Sequence, residues 1–243
     1  MSYTRRKKNR LLDYELLENR QLLAVSVSLD AAGGLSIIGD GNANLVTVSQ
    51  QSAGQMIEVD VDGQNQYQFD SSTVNRLFFH GGNGDDLFDN QTDLPADARG
   101  HSGNDTLLSG MGDDLLVGGP GADTLSVKGG ANQLTGGDGD DQINGGSGYD
   151  YVLGGYGDDT IHGGKGNDLL RGGWGNDTIF GDLGDDVIHG YTGADVIYGL
   201  AGNDKLYGQA DSDLIYGGTG DDIVRGGKSP TGPLVQGPSP CVG

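Results

Sequence analysis

Residues 163–171 read Gly-Gly-Lys-Gly-Asn-Asp-Leu-Leu-Arg, and this nine-residue pattern decides the fold. The chain repeats the pattern from residue 100 to residue 225 as fourteen consecutive units without a gap. Position four is Gly in thirteen units, the exception being Asp211, and position six is Asp in thirteen, the exception being Asn132. Position eight is aliphatic in all fourteen units. Three positions that agree at one period predict a solenoid of stacked repeats.

Each part of the unit has a physical role. Glycines at positions one, two and four allow tight turns with positive φ, which bring several carbonyl oxygens to one point. Position six adds a carboxylate, and such a mixed set of oxygen ligands favours Ca²⁺ over softer metals. The last three residues predict a short strand whose alternation sends position eight to the core. The predicted core residues are Leu107, Leu116, Leu125, Leu134, Ile143, Val152, Ile161, Leu170, Ile179, Ile188, Ile197, Leu206, Ile215 and Val224.

The pattern resembles the RTX (repeats-in-toxin) nonapeptide G-G-x-G-x-D-x-U-x, the repeat of hemolysin-type calcium-binding proteins. The resemblance covers about half of the chain, together with an outlying unit at residues 81–89. It implies an all-β fold, a right-handed parallel β-roll in which two units form one coil. It also implies that each Ca²⁺ lies between position-six carboxylates eighteen residues apart. We expect an N-terminal β-rich cap to complete the fold, because solenoids need covered ends.

This spacing sorts the implied calcium ligands into two columns. The first column contains Asp105, Asp123, Asp141, Asp159, Asp177, Asp195 and Asp213. The second column contains Asp114, Asn132, Asp150, Asp168, Asp186, Asp204 and Asp222. Asp86 of the outlying unit is a further implied ligand. Six adjacent pairs in the first column and four in the second have Asp at both positions, which predicts about ten Ca²⁺ sites. The sites beside Asn132 are not counted, because its unit has lost both the Asp and the early glycines.

Composition favours a fold that depends on bound cations. The chain has 243 residues, of which 48 are Gly and 34% are hydrophobic, and its formal net charge is −21. Residues 100–225 carry twenty-one Asp, no Glu and only five Lys or Arg, so the roll must tolerate self-repulsion or neutralise it. This charge argues against a nucleic-acid partner. No stretch approaches the roughly 18 consecutive apolar residues of a transmembrane segment, and the single cysteine excludes an intrachain disulfide framework.

The remaining segments complete the predicted organisation. Residues 1–24 form a basic leader, in which residues 17–24 resemble an export motif of large bacterial surface proteins; an amphipathic helix with a basic end is the alternative. Residues 25–80 alternate like strands and are predicted to form the cap, with a separate ligand-binding domain as the alternative. Residues 81–99 contain the outlying unit and a loop. Residues 100–225 form the repeats, and residues 226–243 are predicted to be a disordered tail.

The sequence carries no recognisable catalytic motif. The four histidines include no H-E-x-x-H metalloprotease motif. An EF-hand loop needs a closing Glu, and no Glu follows Glu58. Residues 100–104 depart from the G-x-S-x-G motif of lipases at Asn104 and lie within a repeat. We therefore expect a protein that is not an enzyme.

The function expected from these features is a calcium-binding β-roll, extracellular or at the cell surface, with a structural or adhesive role. The alternatives are a calcium buffer, or the RTX module of a hemolysin-like toxin or secreted hydrolase whose effector part is absent from this chain. Partners other than calcium ions could be a glycan or a cell-surface protein. Phe180, Tyr198 and Tyr216 occupy position nine at eighteen-residue intervals and predict an outward aromatic ladder. This ladder would be a contact surface or a simple cross-strand stack.

Overall fold

The computed structural model of the protein describes residues 25–51, 54–63 and 65–227, and the backbone of the strand Leu234–Gln236. These residues form strands, apart from one turn of 3₁₀ helix at Ser71–Thr73, and they contain no α-helix. The prediction of an all-β parallel roll is therefore confirmed. Within the described ranges, no helix is long and apolar enough to cross a membrane. The predicted leader of residues 1–24 lies outside the described residues.

Two sheets form the walls of the roll. In the first sheet, the spatial order is β1-β2-β6-β8-β10-β12-β14-β16-β18-β20-β22. Its strands are β1 (Ser26–Leu29), β2 (Gly34–Ile38), β6 (Arg76–Asn83), β8 (Ala96–Ser102), β10 (Leu115–Pro120), β12 (Gln133–Asp138), β14 (Tyr151–Tyr156), β16 (Leu169–Trp174), β18 (Val187–Thr192), β20 (Lys205–Gln209) and β22 (Ile223–Arg225). All its neighbouring strands are parallel except the pair β1 and β2.

The second sheet has the order β23-β21-β19-β17-β15-β13-β11-β9-β7-β3-β4-β5. Its strands are β3 (Leu45–Gln50), β4 (Met56–Val61), β5 (Asn65–Asp70), β7 (Leu87–Asn90), β9 (Thr106–Leu108), β11 (Thr124–Ser126), β13 (Gln142–Asn144), β15 (Thr160–Lys165), β17 (Thr178–Leu183), β19 (Val196–Ala201), β21 (Leu214–Thr219) and β23 (Leu234–Gln236). Strand β4 is antiparallel to both of its neighbours, β3 and β5.

The core lies between the two sheets and is one side chain deep on each. Within the repeats, neighbouring parallel strands pair with a register of eighteen residues, as in Leu134 with Val152 and Ile161 with Ile179. Thirteen of the fourteen position-eight side chains are buried, and Val224 is partly buried against them. Positions seven and nine point outward, so the alternation expected from the repeat is present. A core this thin leaves much of the stability to other interactions.

Residues 25–80 form strands β1 to β5 and most of β6, as their alternation predicts. Strands β2 and β3 continue the parallel stack, while β1, β4 and β5 add antiparallel strands at the N-terminal end of each sheet. Phe79 and Phe88 stack in the core with ring centroids 4.8 Å apart. That these strands act as a cap for the roll stays a prediction.

Two predictions about irregular segments are wrong at the residues that form strands. The expected loop after residue 90 ends early, because Ala96–Ser102 forms β8 between β6 and β10. Its buried positions are the small residues Ala96 and Ala98, so the apolar alternation is weak in the sequence. The expected disordered tail contains β23, which pairs with β21. The edge of β21 offers unpaired backbone groups, and a neighbouring segment can add to such an edge whatever its own periodicity.

Candidate metal centre

Asp168 shows how the repeat holds its position-six carboxylate. The backbone N–H of Asp168 donates to Oδ1 of Asp186 at 2.8 Å, and Oδ1 of Asp168 accepts the N–H of Asp150 at 2.9 Å. The Asp168 carbonyl accepts the N–H of Val187 at 2.8 Å. The side chain is 1% exposed. Backbone hydrogen bonds from the preceding coil thus fix the orientation of the carboxylate.

The second carboxylate oxygen, Oδ2, is buried and has no hydrogen-bond partner within the described residues. The same is true of thirteen position-six residues: Asp86, Asp105, Asp114, Asp123, Asp141, Asp150, Asp159, Asp168, Asp177, Asp186, Asp195, Asp204 and Asp213. A buried carboxylate oxygen without a partner costs several kcal/mol in general, so native proteins pair it or bind a cation. A periodic set of such oxygens indicates a periodic cation requirement.

A glycine at position one borders the space in front of the free oxygen in every unit that has such an oxygen, except that of Asp114, which has Ser109 there. A Cβ added to Gly163 would lie 2.7 Å from Oδ2 of Asp168 and 2.8 Å from the carbonyl oxygen of Gly181. A Cβ added to Gly145 would likewise lie 2.8 Å from Oδ2 of Asp150. Carboxylate and carbonyl oxygens therefore border one small space that a side chain would fill, and such oxygens are the ligands that Ca²⁺ prefers. The residues present thus fit a bound Ca²⁺.

Backbone carbonyls are a necessary part of such a site. The described residues contain no group of three or more His, Cys, Asp or Glu side chains that could hold a metal ion by themselves. Each coil instead contributes one position-six residue to each column, and all of these are carboxylates except Asn132. A site between two coils would therefore combine two carboxylates with carbonyl oxygens of the glycine-rich turn.

Burial shifts the acidity of these groups strongly. Desolvation raises the pKa of Asp168 to about 6, that of Asp141 to about 7 and that of Asp177 to about 8. Backbone hydrogen bonds oppose the shift, while neighbouring carboxylates of the same column add to it. A dication beside each Oδ2 would reverse this effect, because it favours the ionised carboxylate.

All fourteen predicted ligand positions lie in the two columns. In each column the backbone N–H of one residue donates to Oδ1 of the next, with N···O distances from 2.7 to 3.2 Å. The first column begins at Asn44 and Asp86, although Asp86 is nineteen residues from Asp105. The second column begins at Ala96 and ends at the less buried Asp222. The geometry brings the predicted residues together, while their occupancy by Ca²⁺ stays a prediction.

Four segments of the chain, residues 98–125, 117–152, 153–188 and 189–224, match the family model of the RTX calcium-binding nonapeptide repeat. The chain belongs to the RTX calcium-binding repeat family. RTX repeats bind Ca²⁺, so the family and the cation inferred from the nine-residue pattern are both confirmed. No curated protein matches the chain.

The RTX roll departs from its own pattern at Asn132. Its Nδ2 donates to Oδ1 of Asp150 at 2.7 Å, and its Oδ1 accepts the N–H of Asp114 at 2.9 Å. Both polar atoms of the buried amide are therefore satisfied. Within the second column, Asn132 supplies a hydrogen-bond donor where other coils leave a free carboxylate oxygen. The Asn132 side chain therefore requires no cation to satisfy its polar atoms.

A second ladder, not predicted from the sequence, runs along the RTX roll at position five. Here the backbone N–H donates to a side-chain oxygen eighteen residues earlier, or nineteen for Asp85, opposite in direction to the ligand columns, as from Asn176 to Asp158 at 2.6 Å. The acceptors include Asp85, Asn104, Asp113, Asp140, Asp158, Asn167, Asn176, Asp185 and Asn203. The available signal was that nine of the fourteen units have Asn or Asp at position five. Asn44 was also missed, because it precedes the repeats.

Proposed function

We propose that this RTX protein is a calcium-stabilised structural or adhesive protein of the extracellular space or cell surface, and that it is not an enzyme. The observation that carries the proposal is the periodic series of buried carboxylate oxygens without hydrogen-bond partners. Such a series is costly without cations and stabilising with them. Calcium concentrations outside cells, about 1 mM, match the weak affinity of typical extracellular calcium modules.

The proposed number of sites follows from the columns. One Ca²⁺ between each pair of neighbouring Asp residues gives the ten predicted sites. The contact between Asp86 and Oδ1 of Asp105 adds one more pair, for eleven in total. With dissociation constants of about 10⁻⁴ to 10⁻³ M, each site contributes roughly 0.4 to 1.4 kcal/mol at about 1 mM Ca²⁺. Even ten sites then contribute roughly 4 to 14 kcal/mol, comparable to the stability of a whole domain.

The aromatic ladder of the second sheet supports a rigid structural role. The predicted stack of Phe180, Tyr198 and Tyr216 is present, and His162 extends it by one coil. Successive ring centroids lie 4.4, 5.0 and 4.9 Å apart, and the rings are within 6° of parallel. Because the ring faces contact one another, the ladder stabilises neighbouring strands and leaves mainly ring edges for other partners.

The proposal that the protein is not an enzyme rests on the motif search and on what the histidines contact. His80 contacts His101, His162 contacts Asp182, and His189 contacts Gln209. These partners fit local packing on the outer faces. Purified protein should therefore have no protease, lipase or nuclease activity. A turnover that survives purification and is lost when one of these histidines is replaced would contradict the proposal.

Three measurements test the proposed calcium binding, the location and the adhesive role. Isothermal titration of the full chain should count about ten or more Ca²⁺ ions, with the gain of β-structure following the same titration. Fractionation of native cells should place the protein outside the cytoplasm, and immobilised calcium-loaded protein should retain cells or glycans. Calcium-dependent lysis of erythrocytes would instead favour the toxin alternative, and full folding without Ca²⁺ would contradict the proposed role of the ion.

A further inference from the structure

The outward face of the first sheet contains a cavity that the calcium columns do not explain. It has a volume of about 190 Å³ and lies across strands β14, β16 and β18. Its lining residues are Leu153, Arg171, Gly173, Trp174, Tyr191 and Thr192. The cavity is smaller than the roughly 300 to 1,000 Å³ typical of drug-sized ligands, which suits a single ring.

One wall of the cavity is an exposed aromatic pair. Trp174 stacks on Tyr156 with ring centroids 4.5 Å apart and planes within 7°, yet 55% of Trp174 is exposed. In the next coil, the residue paired with Trp174 is Thr192, which has no ring. The aromatic stack therefore stops at Trp174, and its free side meets the cavity.

Tyr191 adds a second aromatic residue at a costly backbone position. It occupies position two, which is Gly in the type unit, and its φ is +81°. A bulky side chain at positive φ is strained by comparison with Gly. Reverting Tyr191 to the repeat residue would relieve that strain but would remove part of the cavity wall.

Arg171 supplies a fixed positive charge at the same place. Its guanidinium carbon lies 5.1 Å from the Tyr151 ring centroid, and Nη1 donates to the Tyr151 hydroxyl at 2.8 Å. Its Nε is buried without a hydrogen-bond partner, and no carboxylate in the described part of the chain forms an ion pair with Arg171. In a chain of net charge −21, an arginine held in place without a carboxylate partner is ready to bind an anion.

The charge of the surrounding face is also favourable for an anion. Residues 100–225 contain five Lys or Arg, and three of these, Arg171, Lys205 and Arg225, lie at outward positions of the first sheet. From residue 151 to residue 225, outward positions seven and nine of this sheet carry no Asp or Glu. This face is therefore cationic and aromatic, in contrast to the acidic turns.

We propose that this cavity binds a pyranose ring carrying a carboxylate, as in a uronic-acid unit of an acidic glycan. The C–H face of such a ring packs against Trp174, and its carboxylate pairs with Arg171. A neutral sugar would leave the arginine unpaired. The site rests on the proposed function, because it exists only on the calcium-folded roll.

Trp174 makes the test direct, because it is the only tryptophan in the chain. The full chain at saturating Ca²⁺ is titrated with D-glucuronate, D-glucose and acetate while its fluorescence is recorded. Glucuronate should change the emission saturably, and the other two should act at least about tenfold more weakly. Arg171→Gln should weaken glucuronate binding about tenfold or more, as expected for the loss of a charge-assisted hydrogen bond.

Lys205→Gln is the matched control, because it removes the same charge from the same face but outside the cavity lining. It should leave binding unchanged, whereas glucuronate bound merely through Ca²⁺ would be insensitive to both substitutions. Tyr191→Gly should weaken binding while leaving the folding midpoint in calcium unchanged or improved, which a purely structural residue would not do. Calorimetry of Trp174→Leu gives a readout that is independent of fluorescence.

The outcomes separate this proposal from the preceding one. Equal response to glucose or acetate, no response to glucuronate, or unchanged binding in Arg171→Gln would each overturn the acidic-sugar site while leaving calcium-dependent folding intact. Failure of the chain to fold with Ca²⁺ would instead overturn the proposed function itself. Circular dichroism of every variant at saturating Ca²⁺ makes that distinction.

Discussion

The coils around Asp159 and Asp177 and the coil containing Asn132 share one backbone geometry but differ in chemistry. The N–H of Asp159 donates to Oδ1 of Asp177 at 2.9 Å, and the N–H of Asn132 donates to Oδ1 of Asp150 at 3.0 Å. Asp159 and Asp177 each keep a buried oxygen without a partner, whereas the Asn132 amide is satisfied. Both regions therefore use the same ladder from backbone N–H to side-chain Oδ1, and only the Asp coils carry a second carboxylate oxygen that would require a cation.

The strands and the position-one residues near Asn132 also differ from those near Asp159 and Asp177. The second-sheet strands β9, β11 and β13 near Asn132 have three residues each, whereas β15, β17 and β19 have six. Position one of the Asn132 unit is Val127, and that of the preceding Asp114 unit is Ser109, whereas it is Gly in the other units. The Asn132 coil thus gives up both the cation site and part of the strand pairing. It should depend least on calcium.

The largest expected effect is that of calcium removal. Chelation should convert residues 100–225 from β-structure to coil, because about ten sites together contribute roughly 4 to 14 kcal/mol against a typical domain stability of about 5 to 15 kcal/mol. Circular dichroism with and without chelator measures this. Mg²⁺ should restore little structure, because it dehydrates reluctantly and demands tighter octahedral geometry. An unchanged spectrum would show that the free oxygens need no cation.

The second expected effect is a pH dependence that reverses with calcium. Without Ca²⁺, burial raises the pKa of Asp177 to about 8 and those of Asp186 and Asp195 to about 7, above the ordinary value of 3.8. Groups with raised pKa stabilise the fold below their unfolded pKa, and this contribution is lost as pH rises through the folded values. Calcium-free protein should therefore have more β-structure at pH 5 than at pH 8. Calcium-loaded protein should instead lose ions as protons compete below about pH 7.

Circular dichroism from pH 5 to 8 measures the two pH dependences, one with chelator and one with excess Ca²⁺. The titration should flatten in Asp177→Asn, which removes the most strongly shifted carboxyl group. If calcium-free protein gained β-structure as the pH rose, buried ionised carboxylates would not be the cause of its instability.

The third effect compares two alanine substitutions directly. Asp159→Ala removes a carboxylate shared by the pairs with Asp141 and Asp177, so it should raise the calcium midpoint of folding by weakening two sites. At about 1 mM Ca²⁺ this corresponds to a loss of roughly 1 to 3 kcal/mol. Asn132→Ala also removes the acceptor of a backbone N–H from the coil before it, but no carboxylate. It is therefore the matched control and should shift the midpoint less. Equal shifts would mean that the carboxylates of the columns do not act as ligands.

Most of the roll could be predicted from the sequence because one period fixes several properties together. Because one coil has eighteen residues, each position-six or position-eight residue lies next to the equivalent residue of the neighbouring coil. The core and the two columns could therefore be derived from the period alone. The place of Asp86 in the first column could not be derived from the eighteen-residue period, because the insertion before residue 100 makes its spacing to Asp105 nineteen residues. Strand β8 was not predicted, because Ala96 and Ala98 occupy core positions that larger apolar side chains occupy in the other strands. The hydrogen bond from Asn132 to Asp150 depends on the side-chain direction, which no repeat pattern specifies.

The smallest expected effect is that of Asn132→Asp. The substitution completes the second column and creates Asp pairs with Asp114 and Asp150, but it removes the Nδ2 donor to Oδ1 of Asp150. Without Ca²⁺ it should be destabilising, because it adds a buried carboxylate beside others. With Ca²⁺ it could gain at most two sites, roughly 0.8 to 2.8 kcal/mol at about 1 mM.

Val127 should reduce that gain further. In the regular units, a side chain at position one would occupy the space in front of the carboxylate oxygen, as it would at Gly163. Asn132→Asp alone should therefore bind few additional ions, while its combination with Val127→Gly should bind up to two more than the parent chain. Calorimetric counting of bound Ca²⁺ in the parent, the single variants and the double variant measures this. Two extra ions in Asn132→Asp alone would show that a glycine at position one is not needed to leave room beside the ion.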